Sequence, residues 1–280
     1  GVAGRAGAYV AVGDANSLLI SPDTITWTQV PLTQPPASFN TVAFLANQFV
    51  VIGNLARIYS SPDGVTWTSR GGTTTSGNAY AGVTHDGTQY IIGDVNGPLT
   101  FTTNLTTRTA VNPTFNRGIN RIALAHGAGV TVVVGNGGEI ATSTDGRTWV
   151  QRGSDRIVNQ LYGAARLDGQ WFAVGANWTL FSSPDGTQWT RQTIQNLPAQ
   201  GTPGFTSIGY GAGRHLAVGD LGFIATSVDG VSWAGSSTAS GVTQSLNGVV
   251  FTNGRFVAVG DAGVLITSTD GLTWTAATSG

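Results

Sequence analysis

Fourteen carboxylates and three histidines are the side chains of this sequence that could shuttle protons, ligate a metal or attack a glycosidic carbon. Six aspartates, Asp23, Asp63, Asp145, Asp185, Asp229 and Asp270, recur in one setting, two residues after a serine and four before a tryptophan (Trp27, Trp67, Trp149, Trp189, Trp233 and Trp274). Asp14, Asp94, Asp220 and Asp261 each follow a recurrent glycine, and Asp86 and Asp168 stand in short polar turns. Only Asp155 and the single glutamate, Glu139, lie outside these settings. Glycoside hydrolysis takes two juxtaposed carboxylates, or a tyrosine nucleophile with a partner acid. Acids that recur in one turn are explained by the turn, so a non-catalytic chain is expected. His85, His126 and His215 are scattered without metal-ligand spacing. His215 takes a strand position filled elsewhere by Tyr9, Phe49, Trp171 and Phe256, which makes it a packing residue. The set Asp14, Asn54, Asp94, Asn136, Asp220 and Asp261 offers oxygen ligands to a cation, but turn capping by Asx side chains accounts for it more simply. No metal and no cofactor is expected.

The elements that must position these residues repeat. A strand-ending glycine recurs at Gly13, Gly53, Gly93, Gly135, Gly175, Gly219 and Gly260. Six residues before each stands Gly7, Asn47, Gly87, Gly129, Gly169, Gly213 or Gly254, residue types suited to the positive φ of a tight hairpin. The strand between is apolar on both faces. Val12, Ile52, Ile92, Val134, Val174, Val218 and Val259 point one way; Ala11, Val51, Ile91, Val133, Ala173, Ala217 and Ala258 point the other. A strand buried on both sides, in a unit of four short strands that cannot hold a core alone, predicts sheets stacked radially. The expected fold is all-β: a seven-bladed β-propeller of four-stranded antiparallel blades, in one domain spanning 1–280. Its blades are expected at about 1–37, 38–77, 78–118, 119–159, 160–203, 204–244 and 245–280.

The Ser-x-Asp…Trp signature, exemplified by Ser61-Pro62-Asp63-Gly64 through Trp67, resembles the Asp-box, or BNR repeat, of sialidase-like β-propellers. The resemblance covers the whole chain and places the signature at the turn between third and fourth strands. Repeat three departs from it, with Thr102-Thr103-Asn104 and then Arg108 where tryptophan is expected; its blade should be the least well packed. Nothing matches the Arg-Ile-Pro motif of sialidases, so glycoside hydrolysis is a minor alternative.

Composition narrows the partners. Charged residues make up 10% of the chain, the net charge is −1 and every basic residue is arginine, so no basic stripe supports nucleic-acid binding. Cysteine is absent, and no apolar run approaches the roughly 18 residues of a membrane span. The opening at Gly1-Val2 suggests a processed chain or a piece of a longer polypeptide, whose other domains would be further partners.

Linkers joining each fourth strand to the next first strand carry the irregular sequence, and alternation puts them on one face with the turns between second and third strands. Variation gathered on one face of a rigid scaffold is where function is expected. Trp178 lies in such a turn, as a plug between blades or an exposed platform for a sugar ring. With Asn177, Arg57, Arg117, Asp155 and Arg156 it forms the candidate ligand-binding set. The Ser/Thr/Gly-rich repeats look like propellers of phage tail fibres and secreted bacterial proteins. That likeness implies an adhesion module, extracellular or on a virion, recognising a cell-surface glycan or protein receptor. An assembly factor, as in similar propellers of photosystem II assembly, is the alternative. Each blade is expected to be built from contiguous sequence, with Val2 to Gly4 innermost in blade one and Thr273 to Ala277 outermost in blade seven.

Overall fold

The structure is a computed structural model that describes residues 1–32, 38–71, 79–96, 98–112, 123–152, 159–198, 203–237 and 239–279. It is all-β, a seven-bladed propeller. The innermost strands, blade by blade, are Val2–Arg5, Phe39–Leu45, Tyr80–His85, Ala123–Gly127, Leu161–Leu167, Phe205–Gly211 and Leu246–Thr252. Each is followed outward by three more antiparallel strands.

The two-faced apolar strand does what its sequence requires. Val218 of blade six shares a buried cluster with Ala258 of blade seven, as Val174 does with Ala217 and Val134 with Ala173. A branched side chain of one sheet thus meets a small one of the next, which lets neighbouring sheets approach closely. His215 lies inside such a layer, 1% exposed, with its ring 4.9 Å from that of Phe172 and 4.6 Å from that of Tyr210. Burial pushes its pKa down, so it packs as a neutral ring.

First hairpins turn through pairs such as Ala128-Gly129, Ala212-Gly213 and Asn253-Gly254, all at positive φ as a two-residue type I′ loop demands. The strand-ending glycine has a different cause. Gly219 is extended (φ −169°), but a Cβ there would collide with the carbonyl oxygen of Gly204. The same collision awaits Gly53 with Ser38, Gly175 with Gln160 and Gly260 with Ser245. The incoming linker crosses the strand end at backbone contact, which only glycine allows.

Blade three corrects the expected register. Asp94, not Gly93, opposes Tyr80 across a bulge, as Gly53 opposes Phe39. Asp94 N–H also donates to Pro98 O, as Gly53 N–H does to Arg57 O. The first hairpin here is longer: Asp86 caps the N–H groups of Thr88 and Gln89, displacing everything after it by one residue. Asp94 therefore sits where other blades have glycine, buried, accepting from Asn96 N–H at 2.8 Å.

Blade contiguity needs amendment. Val2–Arg5 does lie in blade one and Thr275–Ala276 in blade seven. But Thr278–Ser279 crosses over and pairs in parallel with Thr26–Trp27, a fifth strand on the outer edge of blade one. Ile194–Gln195, between blades five and six, pairs in the same way with Trp233–Ala234.

The recurrent aspartates build the turns ahead of the outer strands. Asp63 Oδ1 accepts from Val65 N–H and Thr66 N–H, both at 2.8 Å; Ser61 Oγ donates to Asp63 and accepts from Gly64 N–H. The Trp67 indole closes the turn by donating to Gly64 O at 2.8 Å. Asp23, Asp145, Asp185, Asp229 and Asp270 repeat this, with Trp27, Trp149, Trp189, Trp233 and Trp274 as the indole donors.

Candidate binding face

Hydrogen bonds fix which loops share a face. First hairpins reach the aspartate turns of the next blade, Arg5 to Pro62 O and Gln170 to Asp229 O. On the opposite side the linker ends meet the turns between second and third strands, with Phe39 N–H donating to Gly13 O and Leu161 N–H to Gly135 O.

On this linker face the inner strands of five blades carry a bulge at one position. Pairing skips Asn40, Ala81, Tyr162, Thr206 and Asn247 in turn. An extra residue in one strand re-aims its side chain, and all five line a polar cavity of about 290 Å³ formed by the inner strands around the axis. Among the described residues no charged side chain lines it. Hydroxyls close the gaps between inner strands: Thr41 donates to Ala81 O at 2.7 Å and Thr206 to Leu246 O. Sequence reasoning missed this ring. Aligned inner strands show it as the residue after a large apolar one, in Phe39-Asn40, Leu161-Tyr162, Phe205-Thr206 and Leu246-Asn247.

Beside this mouth, between blades seven and one, opens a cleft of about 860 Å³. Its charged side chains are Asp14 and Asp261, both exposed, over a floor of Val12, Leu19, Val259 and Leu265. The Asx residues of this face act as ties more than as turn caps. Asn54 accepts from Asn40, Asp261 from Asn247 at 2.6 Å, and Asp220 from Gly204 N–H at 2.8 Å and Ser245 Oγ at 2.9 Å. Among the described residues no group of three or more His, Cys, Asp or Glu is placed to hold a metal.

Of the expected ligand set, the described residues are Trp178 and Asn177 in blade five and Arg57 in blade two. Trp178 is 7% exposed, its ring 5.1 Å from Phe205 and 4.6 Å from Phe223 of blade six. It is a plug between blades and offers no platform, because it is buried with the rings of Phe205 and Phe223 packed on it. Asn177 is exposed, and its amide donates to Asn159 at 2.9 Å. Arg57 is 5% exposed and its Nη1 has no partner among the described residues, so it is withdrawn from solvent. Arg117, Asp155 and Arg156 lie outside the described residues.

No protein-family model matches the sequence, and no curated protein does. Solved structures do. The propeller is similar to YCF48 bound to D1 peptide, with a TM-score of 0.73 at 16% identity over 95% of this chain and 91% of that one. It is similar to YCF48 from Cyanidioschyzon merolae, with a TM-score of 0.64 at 15% identity over 88% and 86%. The extracellular domain of a hybrid two-component system from B. thetaiotaomicron gives 0.70 at 12% identity, over 88% of this chain and 34% of that one. The likeness is one of fold.

Proposed function

We propose that the chain is a non-catalytic binding module that holds a segment of a protein partner on its linker face, at the mouth of the axial cavity. The observation that carries this is the ring of bulge residues, Asn40, Tyr162, Thr206 and Asn247, around a polar mouth. Loops on a rigid ring suit recognition, and a propeller of similar shape, YCF48, has a peptide bound. The partner in this reading is a receptor on a cell surface, met by a module displayed outside the cell or on a virion; an assembly scaffold would use the same face. A cell-surface glycan is the second reading, favoured by one feature: Tyr162 supplies a ring for stacking and the amides of Asn40 and Asn247 can bond hydroxyls. The resemblance of the aspartate turns to Asp-boxes bears on fold and leaves this reading of function unchanged. Labelled protein applied to candidate cells tests it. Binding should fall when Tyr162 and Asn247 become Ala and stay unchanged when Val65 and Val231, on the opposite face, become Ser. Pretreating the cells with protease should abolish binding by a protein receptor, and with glycosidases binding to a glycan. Loss only with the Val65 and Val231 changes would refute the choice of face.

A further inference from the structure

Four of the seven outer strands carry an arginine or abut one: Arg70 in Thr68–Gly71, Arg191 in Thr190–Arg191, Arg108 before Thr109–Val111 and Arg152 after Val150–Gln151. A charge on a sheet edge deters a further strand. The outer strands of blades one, six and seven, Thr26–Gln29, Trp233–Ser236 and Thr275–Ala276, have none. Two of these uncharged edges are covered, blade one by Thr278–Ser279 and blade six by Ile194–Gln195. Each covering segment follows the outer strand of the preceding blade and runs parallel to the strand it covers. Ile194 stands opposite Trp233 and shares its buried cluster, and Ala277 packs into the cluster of Trp27. Trp27 and Trp233 are accordingly buried, whereas Trp274 of blade seven is half-buried. The linker that would cover blade seven is held elsewhere. Ala239 N–H donates to Ser236 Oγ at 3.1 Å, and the buried Ser240 donates to Gly222 O at 2.7 Å, in the turn between second and third strands of blade six. Among the described residues Thr275–Ala276 pairs only with Leu265–Ser268.

We propose that the outer edge of blade seven takes an extended segment of another protein, which adds as a parallel fifth strand and lays a branched aliphatic side chain over Trp274. The edge has the composition of the two covered edges and lacks the arginine of the four bare ones. Blade six supplies the register: Ile194 opposes Trp233 and Gln195 opposes Ala234, positions that Trp274 and Thr275 hold in blade seven. The incoming segment is therefore uncharged, with a branched aliphatic residue followed by a polar one. Backbone pairing holds it along the edge, and the half-buried indole selects the aliphatic side chain, as in strand addition to an open sheet. This edge lies on the outer rim of the ring, so it stays free while the axial mouth is occupied.

Titration of the whole chain with acetyl-Gln-Thr-Ile-Gln-Asn-amide, the sequence of 192–196, followed by amide chemical shifts, tests this. Shifts should appear from Thr273 to Ala277 and spare Trp233 to Ser236, whose edge is already covered. The peptide with Ala in place of Ile should bind about tenfold more weakly, the factor expected for losing the aliphatic surface laid on the indole. A nitroxide on the amino end of the peptide should broaden Thr273 more than Ala277. Ala276→Arg sets at this exposed position the charge that Arg191 gives blade five, and it should abolish binding while leaving the Tm unchanged. Equal affinities for the Ile and Ala peptides, shifts confined to other blades, the reverse order of broadening, or undiminished binding to the Ala276→Arg chain would overturn the proposal. So would a parent chain that dimerises as its concentration rises while the Ala276→Arg chain does not, since the edge would then belong to a second copy. If Ala276→Arg fails to fold, the Ile and Ala comparison on the unaltered chain decides alone.

Discussion

The guanidinium of Arg108 donates to the carbonyl of Leu105 at 3.2 Å, the contact that the Trp67 indole makes with Gly64 O one blade earlier. Arginine thus replaces the donor that the missing tryptophan would have supplied, and it adds a bond of 2.7 Å to Arg70 O in blade two. Asn104 caps the turn as aspartate does elsewhere, through the N–H groups of Thr106 and Thr107. The aberrant turn of blade three is tied to its neighbour. Arg108→Ala should cost about 1–2 kcal/mol in urea unfolding. Arg108→Trp should recover part of that loss by restoring the Leu105 bond. An alanine variant as stable as the parent would remove the role given to the guanidinium.

Trp178→Ala should destabilise at least as much as Trp274→Ala. Trp178 is buried against two phenylalanines, whereas Trp274 is half-buried at the rim. A large-to-small change at such a plug costs about 3–5 kcal/mol. Calorimetric melts of the two variants decide the order; a Trp178→Ala chain that melts with the parent would restore the platform idea.

Ending the chain after Ala277 should loosen blade one. Without Thr278–Ser279 the outer strand Thr26–Gln29 loses its parallel neighbour. Hydrogen exchange at Thr26 to Gln29 should quicken while Thr68–Gly71, the outer strand of blade two, keeps its protection. Unchanged exchange would mean that the crossing strand does not clasp the ring.

Acid should unfold the ring through its turns. Asp63 is held down to about 2 by the N–H groups of Thr66 and Val65, then by the Ser61 hydroxyl. Asp185 is held at about 2, first by the Thr187 hydroxyl, and Asp145 and Asp229 lie lower still through backbone N–H groups. A carboxylate whose folded pKa is depressed stabilises above its unfolded value, about 3.9, and that stability is lost as pH falls through the folded value. The Tm should be flat from pH 7 to about 4 and fall between about 4 and 2. Asp63→Asn with Asp185→Asn should lower Tm at pH 7 and make the acid limb shallower. A parent chain whose Tm does not drop in that window would show these bonds to be energetically silent.

Seven copies were legible because turn chemistry leaves fixed residue types at fixed spacing, from Gly7 to Gly254 and from Trp27 to Trp274. The register of blade three was not, because Gly87 and Gly93 imitate the spacing while the longer Asp86 turn moves the true position to Asp94. Trp178 misled for a related reason. Its φ of 51° belongs to a position that takes small residues elsewhere, and local sequence does not reveal the aromatic pair of blade six that encloses it. The two-residue parallel strands at Ile194 and Thr278 are too short to carry a periodic signal. The bulge ring went unseen because a bulge is a count of residues against a partner strand, and the partner's register is a property of the folded pair.

That bulge has an evolutionary reach beyond geometry. Asn40, Tyr162, Thr206 and Asn247 stand out of step with the ladder, so their identities are released from the alternation that the core enforces on their neighbours. The same backbone already accepts an amide, a phenol, a hydroxyl and, at Ala81, a methyl group there. A lineage could rewrite these letters one at a time and acquire new addresses while the ladder keeps its register, each change giving up only the tie that Asn40, Thr206 or Asn247 makes to its neighbour.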